Sequence, residues 1–259
     1  MNRIGLALGG GGARGLCHIE FLKAFDKLNI KPAIISGTSI GAIIGAFYAS
    51  GLSGEKIASL AKNLNFIEIS KLLDFSFFHM SGLVKGDGVM NFLKENIKVS
   101  SFSELKIPLK IVATDFWHRK EIVIESGELI PAIRASISVP GLFNPVKMND
   151  NILTDGGAIN PLPYDIIQDD CDFVIAIDVN GEKSPEKERK NPTIFESVMN
   201  TFQIMEACIV EHKMKINKPH LYIKPSLNNI ELLDFQKHKK IMNSVQYEVE
   251  VLADFLSSL

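Results

Sequence analysis

Two glycine-framed turns near the N-terminus restrict what this chain can become. Residues 9–15 read Gly-Gly-Gly-Gly-Ala-Arg-Gly, and residues 37–41 read Gly-Thr-Ser-Ile-Gly. Each follows a short apolar run (4–8 and 33–36) and precedes helix-like sequence. A serine at the apex of a strand-to-helix turn exposes its hydroxyl, while the flanking glycines let the helix pack closely beneath it. A glycine run beside it turns several amide N–H groups toward one point, as a developing oxyanion requires. Ser39 is thus the candidate nucleophile for acyl transfer from an ester or thioester.

Apolar runs alternate with helical patterns along the rest of the chain, the mark of an α/β protein. Strands are predicted over 3–8, 33–36, 109–115, 121–124, 173–179 and 220–224, and helices over 15–28, 40–50, 54–63, 87–97, 193–217 and 229–257. Residues 109–115 and 121–124 read as a hairpin, so the sheet is expected to be mixed, with helices on both faces. The 259 residues, 46% of them hydrophobic, suffice for one large domain. One domain over 1–259 is the expectation, with the charged, proline-bearing stretch 182–192 as an exposed loop. Residues 64–84 are aromatic-rich without a clean period. They read as an irregular helical excursion over the core, or as a lid or acyl-chain groove near Ser39.

Charge and cysteine content exclude several classes. Lys and Arg number 28 against 30 Asp and Glu, with no block of one sign, so nucleic acid is not expected as a partner. Cys17, Cys171 and Cys208 form neither a disulfide framework nor a metal-ligand set, and they fit a reducing compartment. Met-Asn-Arg passes directly into strand-like sequence without an apolar leader. The weakly polar stretch 33–49 falls short of the roughly 20 residues a membrane span needs. A cytoplasmic location is the expectation.

The glycine turn also matches GxGxxG, which raises a dinucleotide-binding reading. That reading needs an acidic residue roughly 20 positions later to hold the ribose hydroxyls. None occurs from Lys27 to Gly54, and the nucleotide reading fails there.

A serine nucleophile needs a base. The histidines (His18, His79, His118, His212, His220 and His238) sit in no motif-like setting. Asp155 does, in Ile152-Leu153-Thr154-Asp155-Gly156-Gly157, a short apolar strand that ends in a carboxylate before two glycines. An aspartate bonded directly to the serine can take its proton, although its ordinary pKa of about 3.9 makes it a weaker base than imidazole. Such a pair leans more heavily on oxyanion stabilisation.

Four blocks in order resemble the bacterial patatin-like phospholipases. They are the opening Leu6-Ala7-Leu8-Gly9-Gly10-Gly11-Gly12-Ala13-Arg14-Gly15, the turn Gly37-Thr38-Ser39-Ile40-Gly41, the segment 134–146, and Asp155-Gly156-Gly157. The similarity runs from about residue 4 to residue 178, leaving 193–259 as a C-terminal strand and helices packed on that core. It implies a three-layer α/β/α sandwich with a mixed, largely parallel central sheet. It also implies a Ser39–Asp155 dyad that works without a metal or other cofactor, and an oxyanion hole from the backbone of Gly10, Gly11 and Gly12. Arg14, Gly15, Gly37, Gly41, Gly156 and Gly157 become supporting motif residues. Glu20 departs from the small residue usual there.

The function so implied is that of a serine acyl hydrolase, of the lipase, phospholipase or lysophospholipase type, cleaving fatty-acyl esters through an acyl-enzyme. A lipid or acyl-ester substrate and a transient membrane-surface contact follow from it. Rival readings are an acyltransferase or thioesterase on the same scaffold, a Ser-His-Asp esterase using His212, His220 or His238, and a binding protein with a vestigial site. Arg134 and Ser136 carry no role derivable from sequence, beyond a buried arginine tying loops together.

Overall fold

The computed structural model describes residues 2–62, 86–181 and 191–259. The aromatic-rich segment 64–84 and most of the loop 182–192 lie outside these. Strand β1 (Ile4–Leu8) runs through the glycine loop and a 3-10 turn (Gly12–Cys17) into helix α1 (His18–Lys27). Strand β2 (Ile34–Thr38) passes through Ser39 into α2 (Ile40–Ala49), and α3 (Gly54–Lys62) follows. Next come α4 (Asp87–Asn96), the hairpin β3 (Leu109–Asp115) and β4 (Lys120–Ile124), and α5 (Leu129–Ser136). The chain continues with β5 (Val146–Met148), β6 (Asn151–Asp155), β7 (Phe173–Ile177), α6 (Ile194–Ile216) and β8 (Leu221–Ile223). It ends with α7 (His238–Asn243) and α8 (Gln246–Ser257).

The strands form one mixed sheet in the order β5-β6-β3-β2-β1-β7-β8, with β4 also paired to β3. The run from β3 through β2, β1 and β7 to β8 is parallel, while β4, β5 and β6 add antiparallel pairs. Both faces are covered, which is why the central strands read as unbroken apolar runs. Leu6, Leu8, Ile35, Ile175 and Ile177 face the larger cluster built with α1 and α2. Their alternate neighbours Ala7, Ile34, Val174 and Ala176 face Tyr164, Ile167 and Val210 of α6 on the other side.

Strand β3 brings distant segments together. Along one edge it keeps β4, from Ile111 to Asp115. Its other edge pairs with β2 as far as Val112 and with β6 from Ala113 onward. Thr38, opposite Val112, and Asp155, opposite Ala113, therefore end up on consecutive residues of one strand.

Three departures from the sequence reading have local causes. The predicted helix 15–28 begins as a 3-10 turn and becomes α-helical only at His18. The predicted helix 229–257 is broken: Asp234 Oδ2 accepts the Glu231 N–H at 2.9 Å, a local turn that competes with the helical ladder. Helix α5 and strand β5 escaped the sequence reading. Pro131 disguises α5, yet it sits in the first turn, where a missing N–H costs nothing; β5 has three residues, too few for a period to show. Among the described residues, no helix is long and apolar enough to cross a membrane.

Candidate active site

Ser39 caps the N-terminus of α2 with φ 54° and ψ −121°, a backbone state few non-glycine residues adopt. Such a conformation costs about 1–3 kcal/mol and must be held by its surroundings. Part of the hold is a hydrogen bond from the Ser39 N–H to Oγ of Ser136, at 2.9 Å. The Ser39 carbonyl meanwhile accepts the N–H groups of Ala42 (2.9 Å) and Ile43 (3.2 Å), which opens α2. Gly41 has a steric reason: a Cβ there would collide with the Leu8 carbonyl, so only glycine lets α2 rest against the end of β1. Gly37 lies directly under the Gly41 carbonyl, and Gly15 backs onto Ile40.

Asp155, the last residue of β6, is almost wholly buried. Its N–H donates to the Ser138 carbonyl (3.0 Å), and its carbonyl accepts the Thr114 hydroxyl (2.8 Å). Oδ1 accepts the Gly157 N–H at 2.7 Å, whereas Oδ2 is buried with no hydrogen-bond partner among the described residues. Burial pushes the carboxyl up to about 7, against the opposing pull of the Gly157 N–H and the Ser39 hydroxyl. The serine thus lies close enough to favour the charged carboxylate, but no well-aligned hydrogen bond joins the two side chains. Gly156 packs against the Val112 carbonyl and the Thr38 methyl, a further consequence of the shared edge of β3.

The glycine loop divides its labour differently from the sequence reading. The Gly10 N–H donates to the Pro161 carbonyl at 2.9 Å, so Gly10 is removed from the expected oxyanion donors. Its Cα instead packs beside the Ser39 side chain. The N–H groups of Gly11 and Gly12 make no hydrogen bond among the described residues. Arg14 is buried: its Nε donates to the Val179 carbonyl (3.0 Å), and Nη1 donates to the Ile230 carbonyl (3.1 Å) and Oε1 of Gln203 (3.2 Å). It ties the loop to the C-terminal segments. Arg134 ties another corner through Nη1 to Oγ of Ser138 (2.7 Å) and Nη2 to the Asn144 carbonyl (3.1 Å).

None of the histidines in the described residues hydrogen-bonds to Ser39 or Asp155. His18 is buried, shares a 2.9 Å hydrogen bond with the Gly9 carbonyl, and is driven down to about 4 by burial. Nδ1 of His220 accepts the Val174 N–H at 3.0 Å, His118 pairs with Asp115, and His212 is exposed. His79 lies outside the described residues.

Beside Ser39 and Gly12 opens an apolar cavity of about 140 Å³, lined by Leu16, Ile44, Phe47, Val139 and Phe143 among others. Leu232 and Leu233 join this lining because residues 229–235 form turns instead of a helix.

Sequence reasoning singled out Ser136 without a role and missed Glu206 altogether. Ser136 supports the Ser39 backbone. Glu206, on α6, is buried and lies against Gly157. A signal existed: Met199, Glu206 and Val210 form the buried stripe of α6, and a carboxylate on an apolar stripe demands an explanation.

The chain is similar over 199 residues to an uncharacterised NTE family protein of Mycobacterium tuberculosis, at 33% identity, covering 76% of this chain and 55% of that protein. It is 29% identical over 269 residues to patatin-like phospholipase domain-containing protein 7 of Rattus norvegicus, covering 93% of this chain and 20% of the other. Domain-containing protein 6 of Homo sapiens is 32% identical over 188 residues, covering 70% and 14%. The chain thus spans about half or less of the length of these relatives. Its fold is similar to that of VipD from Legionella pneumophila, with a TM-score of 0.64 at 13% identity, covering 98% of this chain and 67% of that one. The sequence profile described as patatin-like phospholipase matches residues 6–167, which contain both glycine-framed turns, Ser39 and Asp155. That match, together with the mixed sheet and the strand-to-helix elbow, places this chain in the patatin-like phospholipase family.

Proposed function

We propose that the protein is a lipid acyl hydrolase in which Ser39 is the nucleophile and Asp155 its base. The observation that carries this reading is the strained Ser39 elbow, set between an upward-shifted buried carboxyl and an apolar cavity suited to a hydrocarbon chain. A base whose pKa lies near neutrality combines availability with proton affinity, which an ordinary aspartate does not.

Asp155 accepts the Ser39 proton through Oδ2 as Oγ bonds to the ester carbonyl carbon. The carbonyl oxygen becomes an oxyanion and is held by the N–H groups of Gly11 and Gly12. Collapse breaks the ester C–O bond, and the proton on Asp155 passes to the departing alcohol. Water then attacks the acyl-enzyme, Asp155 takes its proton and returns it to Ser39, and the fatty acid leaves. The reaction needs no group beyond these residues. The reading includes a cytoplasmic location, a transient contact with lipid surfaces, and one functional unit spanning residues 1–259.

The test is hydrolysis of a panel of phospholipids, lysophospholipids and simple acyl esters, with products identified by mass spectrometry. Release of fatty acid by the wild type, and none by Ser39→Ala or Asp155→Asn of native fold, is the expected result. Full activity in either variant overturns the mechanism. Transfer of the acyl group to an added alcohol in place of water would reassign the protein as an acyltransferase.

A further inference from the structure

Glu206 is a buried carboxyl group that the mechanism above does not use. It projects from the middle of α6, and no hydrogen bond or ion pair within the described residues accounts for it. Burying a carboxyl without use is costly, and the expected remedy is a partner or a proton. Its position relative to Asp155 is specific. A Cβ on Gly157 would collide with Oε1 of Glu206 and stand 3.0 Å from Oδ1 of Asp155, so the two carboxyl oxygens converge over the same glycine.

Two buried carboxyls this close do not both ionise at neutral pH, and they titrate as a pair. Asp155 has the Gly157 N–H and the Ser39 hydroxyl to favour its charge. Glu206 faces Asp155 at the end of β6, Asp178 after β7 and Arg14 in the 3-10 turn, and only Arg14 favours its charge. Burial and the two acidic neighbours outweigh the arginine and push Glu206 up to about 8. The Gly157 N–H and the Ser39 hydroxyl, which have no counterpart at Glu206, favour the proton of the pair on Glu206.

From this geometry we infer that Glu206 is a positioning residue, a neutral carboxyl that borders Asp155 across Gly157. The inference rests on the Ser39–Asp155 reading. Oδ1 of Asp155 is fixed by the Gly157 N–H and faced by Glu206, which leaves Oδ2 to take the serine proton. The base is thus oriented by a third group, and this third group is a protonated acid. When Glu206 ionises it becomes a like charge beside Asp155. The Asp155 carboxylate is then driven off the line to Ser39, and activity falls on the alkaline side.

The experiment measures kcat, KM and the pH dependence of both on a nitrophenyl acyl ester for the wild type, Glu206→Gln and Glu206→Leu. Melting temperature and the rate of fluorophosphonate labelling of Ser39 are recorded in parallel. Glu206→Leu is expected to lower kcat about 10- to 100-fold with KM little changed, the loss typical of a misplaced catalytic group. Glu206→Gln, which keeps a donor but does not ionise, restores most of that loss and abolishes the alkaline limb near pH 8. Wild-type kcat in Glu206→Leu, a wild type without an alkaline limb, or an alkaline limb retained in Glu206→Gln each overturns the inference. If Glu206→Leu fails to fold, the pH profile of Glu206→Gln still decides. Should Ser39→Ala and Asp155→Asn remain active, the underlying reading fails; if they are inactive and the Glu206 variants behave as wild type, this inference alone fails.

Discussion

The hydroxyl of Ser136, the last residue of α5, accepts the main-chain N–H of Ser39 at 2.9 Å. One buried side chain thereby holds the strained turn that presents the candidate nucleophile. Ser136→Ala leaves that N–H buried and unpaired, at a cost of about 1–3 kcal/mol. We expect a melting temperature lower by several degrees and a kcat lower by about tenfold, with KM unchanged, since the cavity is untouched. Calorimetry with steady-state kinetics checks this; a variant as stable and active as wild type would show that the bond contributes nothing.

Activity should track the charge on Asp155. The carboxyl, pushed up from an ordinary 3.8 to about 7, must be deprotonated to act as a base. The acid limb of kcat/KM is therefore expected near pH 7 on the nitrophenyl ester. An acid limb near pH 4 would mean that Asp155 titrates like an exposed aspartate.

The same shift makes the residue a burden on stability. A carboxyl whose pKa is higher folded than unfolded stabilises the protein below its unfolded pKa, and that contribution is lost as pH rises through the folded value. Asp155→Asn removes this dependence between about pH 4 and pH 7. The inactive variant should melt above wild type at pH 8, with the gap narrowing towards pH 4. Thermal melts across that range are the measurement, and a gap that widens on acidification would contradict the argument.

The cavity makes a separate claim on chain length. Ile43 lies one turn beyond Ser39 on α2, lines the cavity and is not fully buried, so a larger side chain fits with less strain than in the core. Ile43→Trp should lower hydrolysis of long-chain esters by about tenfold or more relative to acetyl or butyryl esters, as lost burial of a few CH₂ groups at about 0.8 kcal/mol each implies. Equal losses across chain lengths would separate the cavity from the acyl group.

The family and the mixed α/β architecture are legible in the sequence, which also offers Ser39 and Asp155 as candidates. Each is written in local turn chemistry: glycines flanking Ser39, glycines following Asp155, and apolar runs marking the central strands. The reading failed where the signal was local but ambiguous. Helix α5 was hidden by Pro131, and the turn around Asp234 was mistaken for helix because Ile230 and Leu233 stand three residues apart, as on one helix face. It also assigned Gly10 to the oxyanion site, since a run of glycines does not reveal which N–H groups are already spent on distant carbonyls.

What the sequence by itself determined is the set of short-range conformations, because φ/ψ preference, steric room and apolar periodicity act between near neighbours. Tertiary structure alone decided which remote groups meet. The edge of β3 passes from β2 to β6 between Val112 and Ala113 and so sets Asp155 beside Ser39. The packing of α6 lays Glu206 over Gly157, and α5 lends the Ser136 hydroxyl to the elbow. Those contacts span most of the chain, and their strength depends on burial and distance, neither of which a linear spacing encodes.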